Sequence, residues 1–165
     1  MKKLLAAIAI LSFSCLNAQN DKPSRVAFAL KVQVNAKQFY AQQITDSPYF
    51  AEEMTLQIYP DERVYIEAEV ENGKIVSLQS VKENVNPEKT FDIEFCQTTD
   101  KNVTTASLLY IKNPFDKKLK YDALLYVIDT GKWDTERHSA ESKLTALETW
   151  KNVLGSVVIR NWELE

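Results

Sequence analysis

Residues 107–129, SLLYIKNPFDKKLKYDALLYVID, constrain the fold more than any other stretch of the chain. Two runs rich in Leu, Tyr, Ile and Val flank a polar break at residues 113–118. Proline presets φ and the residue before it avoids the helical region, so Asn113-Pro114 reads as a tight reversal between two antiparallel strands. In the second run Tyr121, Ala123, Leu125 and Val127 share one face, and Leu124, Tyr126 and Ile128 share the other. A strand with one wet face alternates apolar and polar residues. This one does not, so both of its faces should be covered. The expectation is a central hairpin of an antiparallel fold, with Leu125 in its core.

The rest of the chain reads mostly as strands. Val26, Phe28, Leu30, Val32 and Val34 alternate with polar or small residues. Residues 35–53 admit either a short strand or a helical turn followed by a loop. Met54, Leu56 and Ile58 alternate, as do Val64, Ile66, Ala68 and Val70. Asn72-Gly73 then marks a hairpin into residues 74–81, because both turn residues can take positive φ. That register sets Glu71 opposite Lys74, Val70 opposite Ile75 and Val64 opposite Val81. It also turns Ser77 and Gln79 toward the apolar face, which requires a bulge in the second strand or cover on its far face. Phe91, Ile93 and Phe95 belong to another half-buried strand. Residues 98–105 and 130–139 read as polar loops. Ala140, Leu144, Leu147 and Trp150 recur at intervals of four, three and three, the spacing of a short amphipathic helix, which would cover the second face of the central strand. Residues 156–164 form a last strand. About eight strands with little helix predict an all-β, mainly antiparallel sandwich, one domain over residues 19–165, with one short helix near the C-terminus.

The pattern Ile111-x-Asn113-Pro114…Leu119-x-Tyr121 resembles strand pairs of immunoglobulin-like accessory domains in bacterial envelope proteins. It is also similar to the sandwich domains of bacterial proteinase inhibitors. The resemblance implies a sandwich and brings no functional residue with it. The disulfide usual in immunoglobulin domains has no counterpart here.

Residues 1–18 have the order of a secretory signal. Lys2 and Lys3 precede an apolar core at residues 4–13, and Ser14-Cys15-Leu16-Asn17-Ala18 is a small-residue exit. Ten apolar residues are too few to span a bilayer, which takes about 20. Cleavage after Ala18 would place the chain in the periplasm or outside the cell. The alternative is a lipid anchor on Cys15, although Ser12, Phe13 and Ser14 fit a lipoprotein signal poorly. Without Cys15, Cys96 stands alone and reads as a small apolar group between strands. No internal disulfide is then possible, which favours a bacterial periplasm. Asn102-Val103-Thr104 fits the glycosylation pattern of hosts that read it. The formal charge of −3 gives no electrostatic footprint for nucleic acid.

Catalytic groups are sparse. The one histidine, His138, excludes multi-histidine metal sites and reads as an exposed loop residue. Three glycines in the whole chain leave no phosphate-binding loop. Glu67, Glu69 and Glu71 line one strand face. They offer a calcium site only with help from loop oxygens, and otherwise form a solvated face that blunts edge pairing. Glu52 and Glu53 are the other paired acids, of the kind glycoside hydrolysis uses. Aromatic residues are the stronger surface candidates: Tyr49, Phe50, Phe115 and Trp133, with Phe39 and Tyr40 nearby in sequence. The expectation is therefore a binding or accessory module that acts through protein contacts in the cell envelope, without cofactor or metal. The alternatives are a secreted hydrolase using carboxylates on an envelope polymer, and a protease-inhibitor-like module presenting residues 113–118.

Overall fold

The computed structural model describes residues 23–165. Every helix or strand element among them is a β-strand. The first seven are β1 (Ser24–Arg25), β2 (Phe28–Gln33), β3 (Phe39–Ile44), β4 (Ser47–Pro48), β5 (Phe50–Glu52), β6 (Thr55–Ile58) and β7 (Glu62–Glu71). The rest are β8 (Lys74–Val81), β9 (Thr90–Asp100), β10 (Val103–Lys112), β11 (Leu119–Val127), β12 (Lys132–Ala140), β13 (Thr145–Trp150) and β14 (Leu154–Leu164). The expected signal segment, residues 1–18, lies outside the described residues, Cys15 included. Among those described, no helix is long and apolar enough to cross a membrane.

Two five-stranded antiparallel sheets carry the fold. Sheet I has the order β13-β10-β9-β7-β8, and sheet II the order β12-β11-β14-β6-β5. β2 pairs with β3 and β1 with β4 as separate ribbons. The inward residues of both sheets share one core, with Ile66, Phe91 and Ile111 from sheet I and Tyr121, Leu125 and Ile159 from sheet II. Phe91 meets Trp162 across the layers at 5.5 Å between ring centres. Each such side chain contributes roughly 1.5–3 kcal/mol over the exposed state.

The two runs of residues 107–129 are strands, but they are not a hairpin. β10 pairs with β9 and β13, while β11 pairs with β12 and β14, so residues 113–118 cross from one sheet to the other. Asn113 accounts for the crossing. It is fully buried; its Nδ2 donates to the carbonyls of Lys117, Ala140 and Glu141, and its Oδ1 accepts from the Phe115 N–H. A buried amide needs such partners, and two of them, Ala140 and Glu141, sit at the corner where the chain leaves β12. The segment is tied down elsewhere too: Lys118 exchanges two backbone hydrogen bonds with Glu165, and the Phe115 carbonyl accepts from Lys143.

The expected C-terminal helix is absent. Ala140 ends β12, Lys143 takes a positive φ of 59°, and residues 145–150 form β13 against β10. Of the anticipated stripe, Ala140 is buried and Trp150 half-buried against the core, but Leu144 and Leu147 are 58% and 52% exposed. A short isolated helix is marginal in water, whereas the free edge of β10 offers ladder hydrogen bonds to an incoming strand. Residues 130–139 and 98–105, expected as loops, are largely strands as well, closed by turns at Gly131 (φ 64°) and at Lys101-Asn102 (φ 48° and 66°). Residues 35–53, left open between strand and helical turn, hold β3, β4 and β5.

The second face of β11 is covered from the N-terminal end of the chain. Tyr40 of β3 packs on Tyr126 at 6.1 Å, and Ile128 joins a second cluster with Leu30, Val32, Ile44, Tyr59 and Val153. Gly155 makes room for this layer: a Cβ there would stand 3.0 Å from the Tyr126 ring.

The Asn72-Gly73 hairpin forms with Glu71 opposite Lys74 and Val70 opposite Ile75. A bulge at Val76 then moves the register, so that Glu69 faces Ser77 and Tyr65, not Val64, faces Val81. Leu78 now packs against the core, and Ser80 is buried where its hydroxyl donates to the Pro23 carbonyl.

Candidate functional site

The two sheets meet along two seams, each bordered by two edge strands. Along one, β12 of sheet II faces β13 of sheet I. The antiparallel register places Glu136 and His138 on the inward side of β12, beside Ala123 and Tyr121. It likewise places Glu148 and Trp150 inward on β13. These side chains close the seam. His138 is stacked on Tyr121 at 5.8 Å and meets Trp150 edge-on at 5.7 Å. Its Nδ1 lies 3.0 Å from Glu148, and its Nε2 lies 3.0 Å from Glu136 without hydrogen-bond alignment. The Trp150 indole donates to Glu136 at 3.0 Å. Burial, and then the Glu148 carboxylate, push the Tyr121 hydroxyl well above its ordinary range. His138 is thus a half-buried strand residue and not an exposed loop one. It was missed because a polar edge strand with no apolar alternation looks like a loop. The neighbouring cations are occupied: Lys118 pairs with Glu141, Lys120 with Glu165, and Arg137 with Asp122 and Glu163.

The other seam is open. β5 and the turn after it form one lip and β8 the other of a groove of about 500 Å³, whose lining also includes Pro23 and Pro48. Phe50, Met54 and Leu78 make its apolar lining, each half-buried against the core. Glu52 and Glu53 stand on the β5 lip. The lining contains no Lys, Arg or His, and neither carboxylate has a cationic partner among the described residues. β8 pairs with β7 on one side only, and among the described residues its other side makes no backbone hydrogen bond.

Arg25 follows Ser24 of the lining and lies outside the groove itself. Its guanidinium is buried between the rings of Tyr49 and Tyr59, 4.9 and 4.8 Å from their centres. It donates to both oxygens of Glu62, at 2.6 and 3.1 Å, and also to Ser47 and the Gln57 carbonyl. A paired, stacked and fully hydrogen-bonded guanidinium is how a buried charge is tolerated. Burial raises the Tyr49 hydroxyl, with Glu62 adding to the rise and Arg25 opposing it.

The four aromatic candidates are scattered. Tyr49 stacks on Arg25, and Phe115 packs on Phe91 at 5.4 Å. Trp133, 48% exposed, lies against Tyr126 at 5.3 Å on the outer face of sheet II. Only Phe50 lines the open groove, where it joins Glu52 and Glu53. Glu67 and Glu69 share Lys89, and Asn86 also donates to Glu67, so these two carboxylates have partners of their own. Among the described residues, no three His, Cys, Asp or Glu side chains converge on a metal-sized site. Cys96 is half-buried, its thiol raised by burial and by nearby Glu94 and Asp61. Compared with family models, with curated proteins and with solved structures, the chain matches none of them.

Proposed function

We propose that this chain is an exported, non-catalytic binding module of immunoglobulin-like sandwich type, acting through protein contacts in the cell envelope. Its contact surface is the groove between β5 and β8. One observation carries the reading: an apolar groove runs beside a strand edge whose backbone groups have no partner among the described residues. Exposed apolar surface next to a bare edge is costly for a lone soluble domain and is a common feature of recognition surfaces. The export signal and the sparse catalytic groups agree with a module that binds and does not turn over a substrate.

A photo-crosslinking residue at position 79 of β8, introduced in the native cell, tests this. The expected result is a discrete adduct in the envelope fraction, and none from the same probe at position 135 on β12. No adduct from position 79, or the same adducts from both positions, would overturn it.

A further inference from the structure

Resting on that reading of the groove, we infer that its occupant is an extended peptide segment of a partner protein, basic and apolar in alternation, which adds to β8 as a sixth strand of sheet I. Three features combine. The first is the edge itself. From Ile75 to Val81 β8 carries no charged residue, although charge is the usual guard of an exposed edge. An added strand would satisfy its free N–H and C=O groups.

The second is the floor. Successive side chains of an added strand point to opposite sides, so every second one would enter the groove over Phe50, Met54 and Leu78. The Val76 bulge ends the regular ladder, which confines pairing to residues 77–80. Four residues at about 3.4 Å each give a contact about 14 Å long, enough for two inward side chains.

The third is charge. Glu52 and Glu53 both line that path, with no cation in the lining to answer them. A Lys or Arg in the segment completes the pairing, and an acidic segment is repelled. A free small molecule would gain from the floor but would leave the β8 backbone unpaired.

Labelled eight-residue peptides alternating Val with Lys are the probe, with fluorescence anisotropy as the readout on the chain carrying residues 19–165. The Val/Lys peptide should bind saturably, and a Val/Glu peptide about tenfold more weakly or worse. Methylating one alternate set of backbone amides should abolish binding, while methylating the other set leaves it, since only one set faces the edge. The double variant Glu52→Gln, Glu53→Gln should erase the preference for Lys over Glu. Indifference to both methylation patterns, equal binding of the Val/Glu peptide, or no saturable binding would each overturn the inference. So would protection of the amides of residues 77–80 that grows with protein concentration alone, because a second copy would then fill the edge. If the peptides fail while position 79 still gives its discrete adduct, only the peptide inference falls. If both fail, the groove is not the binding surface.

Discussion

The seam at β12 and β13 and the seam at β5 and β8 solve the same problem in opposite ways. Each is a place where two sheets end side by side and the core comes near water. At the first, β12 carries Lys132, Asp134, Glu136, Arg137 and His138 within nine residues. His138 and Trp150 close the gap, and the two glutamates hold the closing groups. Charge there discourages edge pairing and also supplies cross-sheet contacts. At the second, β8 is uncharged beyond Lys74, the facing strand β5 is three residues long, and the gap stays open. The difference shows that this fold can seal a seam when its edge strands carry the residues to do so. The open one lacks them.

Arg25→Met should have the largest effect, because it removes the buried cation that ties Glu62, Ser47 and the Gln57 carbonyl together beside the open seam. Glu62, largely shielded from water, would lose its cation and keep only the Tyr59 N–H, and stability in urea unfolding should fall by about 3–5 kcal/mol. A loss under about 1 kcal/mol would mean that the pair behaves as a solvated surface contact. Next, Glu148→Ala at the closed seam should cost about 1–3 kcal/mol, since the Tyr121 hydroxyl and His138 Nδ1 both lose their neighbour. Glu53→Ala at the open seam should stay within about 0.5 kcal/mol. Equal losses from the two would erase the contrast between the seams.

The acid response separates the sides further. Hydrogen bonds from Lys89 and Asn86 hold the Glu67 carboxyl below its ordinary range in the folded chain. Its contribution is therefore present above the unfolded carboxyl pKa of about 4.3 and is lost as pH falls through the lower folded value. Glu67→Gln should be less stable than the parent at pH 7, by on the order of 1 kcal/mol, and the gap should close in strong acid. Chemical denaturation across pH would check it, and a gap that does not change with pH would exclude the linkage. Smallest is Ser77→Lys, which guards the bare edge with a charge. Stability should move by no more than about 0.5 kcal/mol, while the adduct from position 79 should be lost. An undiminished adduct would show that the edge backbone is not what the partner reads.

Strand content was legible because it is written in local alternation. The faces of β11 could be read from side-chain period, the Asn72-Gly73 turn from its residue types, and β8 as needing either a bulge or cover on its far face. The helix at residues 140–150 was misread because Leu144 and Leu147 mimic a 3.6-residue period while facing water. The groove was half visible. Phe50, Glu52 and Glu53 stood out in the sequence, but Leu78 emerged beside them only after the Val76 bulge turned it inward.

Local chemistry by itself determined that most of the chain forms strands, where the Asn72-Gly73 turn falls, and much of the core, such as the Tyr121, Leu125 and Val127 face of β11. Those properties depend on neighbours two to four positions away, and the sequence displays them directly. Tertiary structure alone decided which sheet each strand joined, that residues 113–118 cross between layers, and which of two seams stayed open. These depend on partners that meet only when the chain closes, such as Asn113 with Ala140 or Arg25 with Glu62. Ladder hydrogen bonds are the same whichever strand supplies them, so backbone pattern cannot name the partner; buried side chains with few acceptable neighbours do.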